Sequence, residues 1–344
     1  MKYLISFLSI TLLFIACEKD NRGASTLAPR LVIVATPGTA SDGKVEFAAT
    51  APNATKFSFD FGDGTLGTAG ADGKVNHTYT TIGSRTYYVV VFAINGTETT
   101  DKRTIAVSVD IKSSLPGLIW ADEFGIDGAP NPANWTHEIG AGGWGNNELQ
   151  FYTNRSQNST VAGGFLKINL IKENFNGSPY TSARLITKNK FDFKYGRVEV
   201  RAKLPAGGGT WPAIWMLGSD ISTVGWPACG EIDIMEHKGN EPNKIHGTLH
   251  YPGRSGGNPV TKTTTATNVS TTFRVYKVDW SAASIKFYVD DNLFFDVPNT
   301  PAIPFNKDFF MILNVAMGGT FGGPVDPAFS NSSLEIDYVR VFKN

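Results

Sequence analysis

"YGRVEVRAKL", Tyr195 to Leu204, alternates without a fault. Arg197, Glu199, Arg201 and Lys203 stand against Val198, Val200, Ala202 and Leu204. Successive side chains of a strand point to opposite faces, so this stretch predicts a strand with one face in a core and one in water. "SIKFYVDD" (Ser284 to Asp291) and "LEIDYVRVF" (Leu334 to Phe342) behave alike, and convincing amphipathic-helix patterns are absent. Strands and Gly-rich loops running from Leu118 to Asn344 predict one large all-β sandwich, a jelly roll with one concave face.

Upstream of Leu118 the pattern stays β but the strands shorten. "RLVIVA", "KVEFAA", "TKFSFDFGDGT", "YYVVVFAI" and "RTIAVSV" are β-branched runs broken by turns. They predict a small β-sandwich over residues 30–110, joined by the linker "IKSSLPG" (111–117) to a second domain at 118–344. "FDFGDGT" (Phe59 to Thr65) supplies Asp and Gly where a tight turn needs positive φ. Asp60 and Asp63 are read as turn residues ahead of a calcium loop. Together with "HTYTTIGSRTYYVVV" (His77 to Val91), the motif resembles a PKD domain, an immunoglobulin-like module. That resemblance implies spacing or polysaccharide contact, not catalysis.

The first residues read Met1-Lys2, then an apolar run from Leu4 to Ala16, then Cys17. The run is too short to span a bilayer and right for a signal-peptide core. A Cys directly after "LFIA" resembles a bacterial lipobox. It implies a signal peptide over 1–16, lipidation at Cys17 and a polar tether over 17–29. The expected location is an outer-membrane lipoprotein facing outward.

The 344 residues carry a formal net charge of +0, so no bulk field favours nucleic acid, and no nucleic-acid partner is expected. A monomer is expected. With Cys17 in the processed segment, Cys229 is the one remaining thiol and no disulfide is expected. Cys229 reads as a small buried residue, since no His stands beside it and three carboxylates follow.

Those carboxylates lie in "GEIDIMEHKG", Gly230 to Gly239. Glu231 and Asp233 share a strand face, but Glu236, five residues from Glu231, should point the other way. One extra residue, a β-bulge at Met235 or a neighbour, turns all three to one face. Hydrolysis of a glycosidic bond with retention needs a nucleophilic carboxylate and an acid/base carboxylate about 5–5.5 Å apart. Same-face neighbours on one strand supply roughly that reach, and a middle carboxylate can hold a proton between them. The chain contains its own control. "LEIDYVRVF" repeats Glu335-x-Asp337 but has Arg340 where the third acid would fall, and reads as structural.

Glu231-Ile-Asp233-Ile-Met-Glu236, preceded by "GWPACG", resembles the active-site signature of glycoside hydrolase family 16 in its bulged, laminarinase-like form. "WADEF", "GGWGNNELQFYT", "SARLITKNKFDFKYGRVEVRAKLP", "GTWPAIWMLG", "HGTLHY" and "MILNVAMGG" extend the likeness across Leu118 to Asn344. The resemblance implies Glu231 as nucleophile, Glu236 as acid/base and Asp233 as the assisting carboxylate, with no cofactor for catalysis. Trp226 resembles the aromatic that stacks on the sugar at the cleavage subsite. Trp144, Asn146 and Glu148 resemble a sugar-contacting loop on the non-reducing side, and Arg184 and His250 resemble polar contacts in the cleft. One or both of Trp211 and Trp215 line the cleft, with Trp215 read equally as core. A structural calcium is often found in this family, and Glu123, the backbone of Gly164 and Asp337 match its ligand positions. The implied substrate is a laminarin-like 1,3-β-glucan, with mixed-linkage 1,3-1,4-β-glucan as a side substrate. The rival readings are a hydrolase of a marine galactan and a non-catalytic glucan-binding lectin.

Overall fold

The computed structural model describes residues 30–38, 42–79, 83–111 and 115–343. The expected signal peptide, the tether with Cys17, and residues 112–114 of the expected linker lie outside them.

Both halves of the described chain are β-sandwiches. The first is small. Val32–Pro37, Lys44–Thr50 and Lys74–Thr78 form one sheet, and Leu66–Gly70, Lys56–Asp60, Gly83–Asn95 and Glu98–Ile111 form the other, in those orders. Phe47, Phe57, Phe59, Phe61, Tyr79 and Tyr87 fill the space between. The Asp residues of "FDFGDGT" work within their turn. Asp60 accepts from the Gly62 amide, and Asp63 accepts from the Thr65 amide and hydroxyl and contacts the His77 ring at 2.7 Å.

The second sandwich packs a ten-stranded sheet on a seven-stranded one. In the larger sheet Gly196–Lys203, the strand read first from sequence, lies between Asn331–Phe342 and Arg274–Trp280. Its Val198, Val200 and Ala202 are fully buried while Arg197, Glu199, Arg201 and Lys203 are not. The seven-stranded sheet runs Val260–Thr265, Lys244–His250, Glu231–His237, Thr210–Gly218, Phe309–Met317, Arg184–Ile186, Thr136–His137. Every residue of Phe309–Met317 is buried, since both faces of this central strand are covered. Trp280, Phe305 and Phe309 meet edge-on or tilted at the centre of the packing. Burying one such ring contributes about 1.5–3 kcal/mol, and Phe309→Ala is expected to cost about 3–5 kcal/mol.

A second, smaller core lies on the opposite face of the seven-stranded sheet. Ile186, Leu217, Cys229, Phe310 and Ile312 cluster there, with Trp215 and Ile221 against them. It anchors the segment from Ser219 to Gly230, which carries Trp226, and Lys307 pins the same segment through Asp220 at 2.6 Å.

Candidate active site

The strand Glu231–His237 is clamped on both sides within its sheet. Against Thr210–Gly218 the register reads Leu217–Glu231, Met216–Ile232 and Trp215–Asp233, then Ile214–Met235 and Ala213–Glu236. Against Lys244–His250, the three steps from Asp233 to Glu236 face two steps from Thr248 to His246. This is the one-residue bulge that the spacing required. The unpaired residue is Ile234 rather than Met235, and both are buried in the main core. Glu231, Asp233 and Glu236 therefore share one face. Paired residues share a face too, so Trp215 and Ala213 on one side and His250, Thr248 and His246 on the other join the same surface. That parity decides Trp215: it belongs to the site face.

Each acid has a distinct environment. Trp226, 48% exposed, donates its indole N–H to Glu231 Oε2 at 2.5 Å. Trp211 donates to Glu236 Oε1 at 3.1 Å and Thr248 to Glu236 Oε2 at 3.2 Å. Among the described residues, no lysine or arginine forms an ion pair with any of the three. Burial first, then the Glu231 and Glu236 charges and a hydrogen bond to Glu231, hold Asp233 well above the usual carboxylate range. Asp233 thus holds its proton more tightly than an ordinary aspartate does, with Glu231 beside it. Burial and then the Glu231 charge push Glu236 up to about 7, which the bonds from Trp211 and Thr248 only partly offset. Burial lowers His250, so its ring is neutral, 3.5 Å from Asp233 Oδ2. Burial and then Glu231 push the Cys229 thiol up to about 11, which rules it out as a thiolate nucleophile. The row therefore sets two acids that hold their protons more tightly than usual beside a third that an indole N–H caps.

The residues expected on the non-reducing side come together around Arg184. Its guanidinium lies 4.8 Å from the Trp144 ring and 4.7 Å from Trp215, and Nε donates to Glu138 at 2.5 Å. Glu148 is an organiser of this loop. It accepts from Asn146 at 3.1 Å, Gln150 at 2.6 Å and Tyr152 at 3.2 Å, and burial raises its pKa. Asn314 donates to Tyr152 at 2.9 Å and accepts from Trp215 at 2.7 Å, so one chain of bonds joins loop and sheet. On the Glu236 side, Phe321 packs 5.1 Å from Trp211 and 5.0 Å from His246. Glu138, Tyr152, Thr248, Asn314 and Phe321 were not singled out from sequence. Tyr152, Thr248 and Asn314 fall inside the quoted motifs and Glu138 and Phe321 outside them, but each gains its role from a distant strand.

Two metal positions need testing against the chemistry. Glu231, Asp233 and His250 bring ligand atoms within 4.8 Å of one another. Two of these are the acids of the row, and the third is the histidine paired opposite Glu231. The donors implied for calcium do not fit that ion. Both oxygens of Glu123 accept from Arg340, at 2.8 and 2.9 Å, and Asp337 accepts from Arg201 at 2.6 Å. At Gly164 the neighbour is another guanidinium, that of Arg85. Every carboxylate of the set is already neutralised by an arginine.

Comparison with known proteins agrees with this geometry. The sequence matches Glycosyl hydrolases family 16 over residues 145–340. A β-glucanase of Rhodothermus marinus is 43% identical over 247 residues, covering 66% of this chain and 85% of that protein. Among solved structures, the laminarinase from Rhodothermus marinus superposes with a TM-score of 0.63 at 44% identity, over 66% of this chain and 96% of that one. The laminarinase catalytic domain from Thermotoga maritima gives 0.62 at 40% identity, over 66% and 98%. Since the matched region holds the bulged strand and the strands that clamp it, the chain belongs to family 16 of the glycosyl hydrolases.

Proposed function

We propose that the chain is a retaining endo-1,3-β-glucanase that needs no cofactor for catalysis. The observation that carries this reading is the bulged row, in which one acid is capped by an indole N–H and the other is raised to about 7. The names of the similar proteins supply the substrate class. Glu231 attacks the anomeric carbon while Glu236 gives its proton to the departing glycosidic oxygen, forming a glycosyl ester on Glu231. Glu236, now ionised, takes a proton from water, which attacks the same carbon and releases Glu231. Asp233 holds its proton towards Glu231, so charge that leaves and returns to Glu231 is met by a fixed hydrogen bond. Trp226, Trp211 and Phe321 offer apolar ring faces to sugars, and Trp144 and Arg184 a mixed one. Mixed-linkage glucan is a side substrate on this reading.

The test is product analysis by mass and anomeric NMR on laminarin, mixed-linkage glucan and agarose. β-Configured oligosaccharides from laminarin are expected. α-Configured products overturn the retaining step, and activity on agarose alone moves the substrate to a galactan. Binding without turnover moves the protein to a lectin.

The remaining proposals rest on sequence. Residues 30–110 act as a PKD-like spacer, and the chain is a monomer held in the outer membrane by a lipid on Cys17. Retention of Cys17→Ala protein in the membrane fraction overturns the anchor.

A further inference from the structure

The corner matched to a calcium site holds an arginine from the other domain. Arg85 lies near the start of Gly83–Asn95, in the small N-terminal sandwich. Its guanidinium sits so close to Gly164 that a Cβ there would fall 2.5 Å from Nη2. A Cβ on Gly125 would fall 2.6 Å from the Ser84 carbonyl, 3.0 Å from Arg85 Cβ and 3.2 Å from its Nε. Gly164 has φ +82, which alone favours glycine. Gly125 has no such backbone reason, so its missing side chain answers to the neighbouring strand. The two glycines open a slot, and Ser84-Arg85 fills it. Both contact points flank strands of the ten-stranded sheet: Gly125 follows Leu118–Asp122, and Gly164 precedes Phe165–Phe175. The catalytic row lies in the other sheet, so docking leaves it open.

We infer that Ser84-Arg85 is a docking wedge that fixes the N-terminal module to the catalytic domain, at a corner where Arg340, Arg201 and Arg85 together take the place of a structural calcium ion. The surface is shaped for a backbone carbonyl and a planar cation, contributed in cis. Arg85 Nε is buried with no hydrogen-bond partner, so packing and not an ion pair holds the side chain, and a guanidinium tolerates this because it is planar and weakly hydrated. A calcium ion would need several free oxygen donors there.

The experiment uses the chain from residue 18 onward, as wild type and as Arg85→Ala, Gly125→Ala, Gly125→Leu and Tyr88→Ala. Tyr88 lies three residues along the same strand and is exposed, so it controls for damage to the strand itself. Limited proteolysis between the domains is timed with calcium and with a chelator, alongside laminarin turnover as a check of folding. The expected result is that Arg85→Ala and both Gly125 variants are cut about tenfold faster, since cleavage follows the undocked population. Their turnover stays normal, Tyr88→Ala is cut like wild type, and calcium changes nothing. Wild-type rates in the Arg85 and Gly125 variants overturn the wedge. Slower cutting or a higher Tm of the wild type with calcium overturns the replacement of the metal. Because turnover is read separately, a wrong substrate would leave the cleavage result standing.

Discussion

Two strands of this molecule carry Glu-x-Asp, and they differ in nearly everything else. In Asn331–Phe342, Glu335 pairs with Lys203 at 3.0 Å and Asp337 with Arg201 at 2.6 Å, across the sheet and partly in solvent. In Glu231–His237, Asp233 and Glu236 are 3% and 8% exposed and meet no such base. The same dipeptide spacing is a surface ion-pair ladder in one place and a reactive row in the other. The difference teaches that chemistry here comes from what is withheld. Burial without a counter-ion makes Asp233 and Glu236 hold their protons more tightly than ordinary carboxyls do. Matched charges on the first row lock its acids into pairing.

The largest way to break the contrast is to remove the row. Glu231→Ala is expected to lose roughly 10⁴-fold or more in kcat, and Glu236→Gln roughly 10²–10⁴-fold, in hydrolysis of laminarin. Asp233→Asn, which keeps a donor to Glu231, should lose about a hundredfold, the lower end of acid–base effects. Next comes pH. Glu236 must carry a proton to act as acid, so kcat/KM should fall as pH rises through about 7. Its folded pKa is raised above the ordinary 4.5, so the stability it contributes is full below about 4.5 and is lost as pH rises through about 7. Glu236→Gln should therefore raise Tm at pH 8 more than at pH 5, a comparison calorimetry makes directly.

Giving the second row what the first one has sharpens the contrast further. Thr248→Lys would set an ammonium where a hydroxyl now reaches Glu236 at 3.2 Å. The alkaline limb of the pH profile should then move down by about one unit or more. The smallest effect belongs to the outer strand. Glu335→Gln and Asp337→Asn should cost at most about 1 kcal/mol each in denaturant titration and leave turnover unchanged.

Much of this was legible from the residues alone. Strict alternation in Tyr195 to Leu204 announced a half-buried strand, because period-two patterning is a local property. The odd spacing of Glu236 demanded a bulge for the same reason. Trp215 stayed open between core and cleft until its register opposite Asp233 was known. The roles of Glu138, Asn314 and Phe321 stayed invisible because pairing between strands far apart in sequence leaves no trace in either one. The arginines beside the implied calcium ligands were hidden for a related reason. Position along the chain says nothing of the arginines that arrive from elsewhere, and Arg85 comes from another domain.

Ile234 makes the catalytic strand one residue longer than its face requires. Deleting it would leave Glu-Ile-Asp-Met-Glu, with three acids on one side and two apolar residues on the other in plain alternation. Deleting Ile232 instead would place Glu231 and Asp233 on opposite faces and drive one of them into the core. In terms of insertion and deletion, then, the strand has two permissive positions, Ile234 and Met235, and both lie between Asp233 and Glu236.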